Sequence, residues 1–479
     1  MVARTLPPTK NVVILGASYA GARAAELLSR TLPSTHRVVV IDRQRGGIYI
    51  AVAEAKAGDF VRGGQGLYLY LHPRVSVVPG HANKVFVPYS GVLPQESAPR
   101  SAGHVIIHAS VTSINDKYIE LDRDLLEHER DIGGDQDEVE KLTEELQDAK
   151  LDAGRSKKAL AGRRISWDYM IYALGCTLPP PLYSLSRTKK TGVAFLEAQQ
   201  SLISKASSIL IAGGGALGIQ FATDIADLYN NPENVHHLPE GLRPTKKKRI
   251  TLVHSRDRFL PLYKQEVHDE VMRRMEELGV DVVLGERLSL PEDDKIGETK
   301  TVTTSTGKVI EYDLLMRCTG QKPNSQLMRD YLPETIDSHG YVKIRPTLQV
   351  DASDVSPKKF CEKLDRIYTI GDVAAAGVIK AGHTGWNQAG VAVQNIMCSL
   401  APQYSEEIGD EKTPVKLTEY EKSPPQIKVT LGLRNSVSEL LPSMDAKETQ
   451  IKISDEGKID GHYEAIWKNF GADLSDLDA

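Results

Sequence analysis

The sequence predicts an α/β protein: two domains of one βαβ plan on parallel sheets, and a small α+β region at the C-terminal end. Three observations carry this. A short apolar run, Asn11 to Leu15, leads into Gly16-Ala17-Ser18-Tyr19-Ala20-Gly21 and then the helix-forming ARAAELLSRTL. The same plan returns at Ser208 to Ala212, with Gly213-Gly214-Gly215-Ala216-Leu217-Gly218 and IQFATDIADLY behind it. Each unit is followed by another apolar run, Arg37 to Ile41 and Arg249 to Val253. Unbroken apolar runs suit strands covered on both faces, and strand–turn–helix–strand order suits a parallel sheet.

Length and composition agree. A chain of 479 residues has room for about three domains. Apolar residues make up 41% and charged residues 26%, as in ordinary globular proteins. The net charge of -5 argues against a nucleic-acid binder built on bulk charge. Four separated cysteines, Cys176, Cys318, Cys361 and Cys398, exclude a disulfide scaffold, a vicinal redox disulfide and a cysteine-rich metal site, and no metal is expected. They fit a reducing compartment. The longest uncharged stretch, Ala381 to Ser405, carries His383, Asn387, Gln388, Gln394 and Asn395, too polar for a lipid span. Residues 1–10 carry no apolar run, so neither a secretory signal nor a cleavable transit peptide is expected.

The glycine motifs carry the chemistry. A dinucleotide's pyrophosphate needs backbone N–H groups at close range and a helix N-terminus, and glycine permits both. In the first motif Gly16 and Gly21 hold the outer positions and Ser18 replaces the middle glycine. Asp42, with Arg43 beside it, lies 21 residues beyond Gly21 at the end of the next strand, where a carboxylate can accept the ribose hydroxyls. A nucleophile elbow is the rival reading, but the pattern fails because its last glycine comes one residue late. The second motif has Gly213, Gly215 and Gly218. Its next strand ends in His254-Ser255-Arg256, with no acid. A carboxylate would repel a 2'-phosphate, so this site should accept NADPH alongside NADH. The plan is therefore Rossmann-like and occurs twice. Two segments, WDYMIYALG ending at Gly175 and YDLLMRCTG ending at Gly320, each read as a strand and small-residue turn closing a dinucleotide domain. DRIYTIGDV ends a further strand in Gly371-Asp372, which suits the ribitol and phosphate end of a flavin.

Three stretches fit neither plan. Asp122 to Asp148 holds twelve acidic residues against three basic ones, with Val139, Leu142, Leu146 and Ala149 at helical spacing. It reads as a solvated helical arm, with a partner-binding coiled coil as the other reading. Gly46 to Gly66 has no apolar period. It is either a surface loop, such as a lid, or a translated non-coding segment such as a retained intron. The loop Asn230 to Lys248 ends in Lys246-Lys247-Lys248-Arg249, a solvated run or a nuclear-import or phosphate patch.

Taken in order, these motifs resemble the glutathione-reductase-like flavoproteins with two dinucleotide domains. Without redox cysteines, the chain is most similar to the apoptosis-inducing-factor-like branch. That branch includes the ferroptosis-suppressor type of NAD(P)H:quinone oxidoreductase. The resemblance covers about residues 10 to 400. It implies FAD on residues 1–180 and 326–400, with the arm at about 122–164 inserted, NADPH or NADH on 181–325, and a separate region at 401–479. It further implies Arg74, in LYLHPR, and Lys380, in KAGHTGWNQAGVAVQNI, as catalytic groups near the flavin. Gln388 and Gln394 match a quinone-site helix pattern only in part. The expected activity is hydride uptake from NAD(P)H and electron transfer to a quinone or another small acceptor. The other class of reading is a redox-responsive signalling flavoprotein with little turnover that recruits a partner. The expected location is the cytoplasm, with peripheral contact to mitochondrial or lipid surfaces as a further expectation.

Overall fold

The computed structural model describes residues 10–43, 65–67, 72–89, 92–93, 103–126, 129, 162–183, 186, 188–231, 238–244, 246–291, 299–357, 362–405, 416–443 and 446–478. The Gly46–Gly66 stretch, apart from 65 and 66, and most of the acidic arm lie outside them.

In chain order the first half supplies β1 (Lys10–Leu15), α1 (Tyr19–Thr31), β2 (His36–Asp42), α2 (His72–Val77), β3 (Val105–His108) and β4 (Tyr169–Tyr172). Then follow α3 (Lys189–Lys205), β5 (Ser208–Ala212), α4 (Ala216–Asn230), β6 (Arg249–Val253), α5 (Gln265–Glu277), β7 (Asp281–Val283) and β8 (Leu314–Arg317). The chain returns through β9 (Ile367–Thr369) and α6 (Gly382–Ser405), and ends in β10 (Ile427–Thr430), β11 (Ser436–Leu440), β12 (Gln450–Ser454) and α7 (Tyr463–Asn469).

The predicted α/β class is what the chain adopts. One parallel sheet has the order β9-β4-β1-β2-β3, the other β7-β6-β5-β8. A third, antiparallel sheet joins β10, β11 and β12. Val12 to Leu15 and Ile209 to Ile211 are buried because each parallel sheet is covered on both faces. In the first sheet, α1 packs against α6, where Gly385 lets the helix approach Ala20.

The duplication extends to individual hydrogen bonds. Gly16 N–H donates to Ile41 O at 2.8 Å, and Gly213 N–H to Val253 O at 2.8 Å. Asp168 Oδ2 accepts Asn11 N–H at 2.8 Å, and Asp313 Oδ2 accepts Ser208 N–H at 2.9 Å. These two aspartates, from the paired WD and YD segments, pin the start of each central strand. Among the described residues, no helix is long and apolar enough to cross a membrane.

Candidate functional site

Two glycine turns at the carboxyl ends of β1 and β5 form the site. Gly16 has φ +92° and Gly213 φ +116°, conformations that favour glycine. A Cβ on Gly21 would lie 1.8 Å from Gly16 O, and one on Gly218 1.9 Å from Gly213 O. These outer glycines are therefore packing requirements. The middle positions differ: a Cβ on Gly215 would meet nothing within 4 Å, and Ser18 is exposed. Neither Ser18 nor Gly215 supplies a side-chain cap, so the first N–H groups of α1 and α4 are left without one. This is the form of a pyrophosphate cradle.

Asp42 ends β2, as expected. Its Oδ2 accepts Ala17 N–H at 2.7 Å, which ties the carboxylate to the first turn. Arg43 lies over the Tyr183 ring, 5.3 Å from its centroid. Gly175 has φ +63°, and its carbonyl accepts Asn324 N–H at 2.9 Å.

A second group gathers around Gly371 and Asp372. Gly371 N–H donates to Gln388 Oε1 at 2.7 Å. Gln388 is fully buried, and its Nε2 has no partner among the described residues. It sets the Gly371-Asp372 turn from beneath and is not on the surface, whereas Gln394 is exposed. Cys176 S–H donates to Asp372 O at 3.3 Å, and Gln321 Nε2–H to Asp372 Oδ2 at 3.4 Å. Lys380 Nζ donates to Ala374 O and lies 4.4 Å from the Tyr341 ring centroid. Burial pushes the Asp372 carboxyl up and the Lys380 ammonium down, and each opposes the other's shift. Burial also pushes the Cys176 and Cys318 thiols up to about 12, so neither is a thiolate near neutral pH.

Arg74 does not join this group, which corrects the expectation that it is catalytic. It is almost wholly buried and forms a bidentate pair with Asp224 of α4, 2.9 Å for each bond. Its remaining N–H groups donate to the carbonyls of Gly432, Leu433, Lys458 and Ile459. That guanidinium is fully used in joining α2, α4 and the C-terminal region. Lys248 is likewise no part of a surface patch. It is buried, donates to Ser204 O and Ala206 O behind α3, and sits 4.2 Å from the Tyr229 ring centroid.

A cavity of about 850 Å³ runs between the halves of the molecule. Gly213 to Gly215, His254, Ser255, Arg256 and Cys318 line one end. Tyr19, from the first glycine turn, and Lys380 to His383 line the other. The C-terminal region adds Gln426 to Lys428 and Leu440. His254 stacks on Phe259, and its Nδ1 accepts Gly214 N–H at 3.1 Å. The ring proton is therefore on Nε2, which is buried without a partner among the described residues. Ser255 and Arg256 are exposed, while Arg258 is taken up by Gln265 and Tyr263 O. The open space at Gly215 and the unpartnered His254 Nε2 fit a dinucleotide at the second turn, and the exposed Ser18 beside Asp42 fits one at the first.

Sequence reasoning missed Gln321, Tyr341 and the role of Gln388, because no local pattern marks a side chain that reaches a turn from elsewhere in the chain. Tyr19 was in view as part of a motif, but only the fold brings it to the cavity.

The sequence profile described as pyridine nucleotide-disulphide oxidoreductase matches residues 10–395. The "Fe-regulated protein 8" of Mycosarcoma maydis is 33% identical across 98% of this chain and 96% of its own length. The "Ferroptosis suppressor protein 1" of Mus musculus is 28% identical across 50% of this chain and 58% of its own. Among solved structures, the sulfide:quinone oxidoreductase of Aquifex aeolicus superposes with a TM-score of 0.61 at 13% identity, covering 98% of this chain and 91% of that one. The last likeness speaks for the fold alone.

Proposed function

Because this chain belongs to the pyridine nucleotide-disulphide oxidoreductase family and binds FAD and NAD(P)H, we propose that it passes electrons from NAD(P)H to a quinone or another small acceptor. The observation that carries this reading is the single cavity that joins the second glycine turn to Tyr19 and Lys380. When bound, FAD supplies hydride uptake from the nicotinamide and electron release to the acceptor.

The chain's own residues bind and orient. The turn from Gly16 through Ser18 to Gly21 cradles the FAD pyrophosphate, and Asp42, flanked by Arg43, takes the adenosine ribose. Gly175, Gly371 and Asp372 frame the ribitol and phosphate end. Gly213, Gly215 and Gly218 cradle the nicotinamide cofactor's pyrophosphate, and His254, Ser255 and Arg256 receive its adenosine ribose. Without an acid at that strand end, NADPH is used at least as well as NADH. Lys380 is held by Ala374 O and the Tyr341 ring, and its cation favours the reduced, anionic form of the cofactor.

Steady-state oxidation of NADPH and NADH with a water-soluble short-chain quinone tests this. Lys380→Ala should retain FAD and lose about ten- to a hundredfold in turnover. Wild-type turnover in that variant would remove Lys380 from the mechanism. Rapid reduction by NADPH followed by slow reoxidation with every acceptor would favour the signalling class instead.

A further inference from the structure

The turn after β7 lies directly on the turn after β6, where the adenosine ribose is placed. His254 N–H donates to Val283 O at 2.8 Å, Glu286 N–H to His254 O at 3.1 Å, and Gly285 N–H to Arg256 O at 3.0 Å. These bonds hold 285–287 in fixed register beside 254–256. Arg287 is anchored a second time: its N–H donates to Ser305 Oγ at 3.2 Å, and its carbonyl accepts Ser305 N–H at 2.9 Å. Both Arg256 and Arg287 line the cavity and are exposed. Neither guanidinium has a hydrogen-bond or ion-pair partner among the described residues, in contrast to Arg258.

Two carboxylates lie nearby, Glu286 and Asp257. Glu286, which also lines the cavity, accepts bonds from Ser305 Oγ at 2.7 Å, Thr306 N–H at 3.1 Å and Thr306 Oγ1 at 2.5 Å. These donors hold its carboxyl well below the usual range and engage both of its oxygens on the side of Ser305 and Thr306. Asp257 lies against Gly285 and is not part of the cavity lining. Leu288 and Leu290 continue the lining beyond Arg287 and offer an apolar seat for a base.

We infer that Arg287, on the loop after β7, joins Arg256 in gripping the 2'-phosphate of NADPH. The 2'-phosphate is a dianion or nearly so, and two forked cations on adjoining fixed loops match it better than one. The inference rests on the reading that this cavity takes NADPH, and names the second residue that selects it.

Adenosine 2',5'-bisphosphate and adenosine 5'-monophosphate differ only in the 2'-phosphate, so calorimetry on the FAD-loaded protein isolates the contact without turnover. The wild type should bind the bisphosphate more tightly. Arg287→Ala should lose about tenfold or more for the bisphosphate and nothing for the monophosphate, and Arg287→Lys should recover part of the loss. A flavin absorption spectrum identical to wild type checks that each variant is folded and loaded. If Arg256→Ala weakens the bisphosphate and Arg287→Ala does not, the inference fails and NADPH use stands. Equal weakening of both ligands by Arg287→Ala overturns it too, since the side chain would then be seating the base. If the wild type binds the two ligands equally, the NADPH reading falls and takes the inference with it.

Discussion

Gly21 holds the outer position of its motif and Gly215 the middle position of the other, and they answer to different constraints. A Cβ on Gly21 collides with the Gly16 carbonyl, so helix and strand cannot both keep their positions. Gly21→Ala should lower stability by about 3 kcal/mol or more and leave little bound FAD. Gly215→Ala has open space around it and should change stability by less than about 0.5 kcal/mol. It should still weaken NAD(P)H binding about tenfold, because the methyl occupies room the pyrophosphate needs. Denaturant melts and cofactor titrations read both effects, and equal stability losses would contradict the division. His72 gives the pH dependence. It is fully buried, its Nε2–H donates to Pro181 O at 2.7 Å, and burial pulls its pKa from 6.5 to about 4. Between those values the unfolded chain takes up a proton that the folded chain refuses. Stability from this group is therefore complete above pH 6.5 and falls as the pH drops toward 4, by about 3 kcal/mol at most. His72→Gln should flatten that fall in melts across the same range, and an unchanged slope would clear His72 as its cause. The glycines were legible in the sequence because a phosphate turn imposes them locally. Arg74 was misread because its partner Asp224 is 150 residues away. Nothing in HPR distinguishes a guanidinium meant for a ligand from one meant for a buried carboxylate.

At the level of elements, the paired βαβ units were legible because each carries its own strand, turn, helix and closing segment within one stretch. The C-terminal region was not, since its role depends on distant surfaces. Asp227 of α4 accepts Leu433 N–H at 2.7 Å, and Arg274 of α5 donates to Leu431 O at 3.0 Å, which fixes the β10–β11 turn to the second parallel domain. The last segment then crosses to the first. Trp467 of α7 is fully buried, with Nε1–H donating to Lys84 O at 2.8 Å. Phe470 meets Tyr19 and Trp386 edge-on, with centroids 6.4 and 5.7 Å apart, and Lys189 donates to the carbonyls of Asp476 and Leu477. Tyr19 belongs to the first glycine turn, so removing residues 463–479 should lower the flavin-to-protein ratio of the purified protein. A truncated protein with full flavin would show that the turn stands without this support. The acidic arm should behave oppositely. Its two ends already meet, Leu125 N–H donating to Gly162 O at 2.6 Å and Arg163 pairing with Asp124 at 2.7 Å. A short Gly/Ser turn in place of residues 130–161 should therefore preserve flavin content and NADPH oxidation. Colourless protein from that deletion would mean that the arm packs on the core.

Across the whole molecule, two parallel domains face one another over a cavity, and the antiparallel C-terminal sheet supplies part of its wall. Asp372, Lys380 and Tyr341 gather beside this cavity, and no single segment of sequence contains that junction. The proposed function has hydride pass from an NAD(P)H whose pyrophosphate is cradled at Gly213–Gly218 to an FAD whose pyrophosphate is cradled at Gly16–Gly21. Anaerobic titration of the purified, FAD-loaded protein with NADPH, followed by the flavin absorption band, tests it most directly. Full bleaching is expected at one equivalent of NADPH per flavin, with the colour restored on adding a quinone. A flavin band left unchanged by excess NADPH and excess NADH would contradict it.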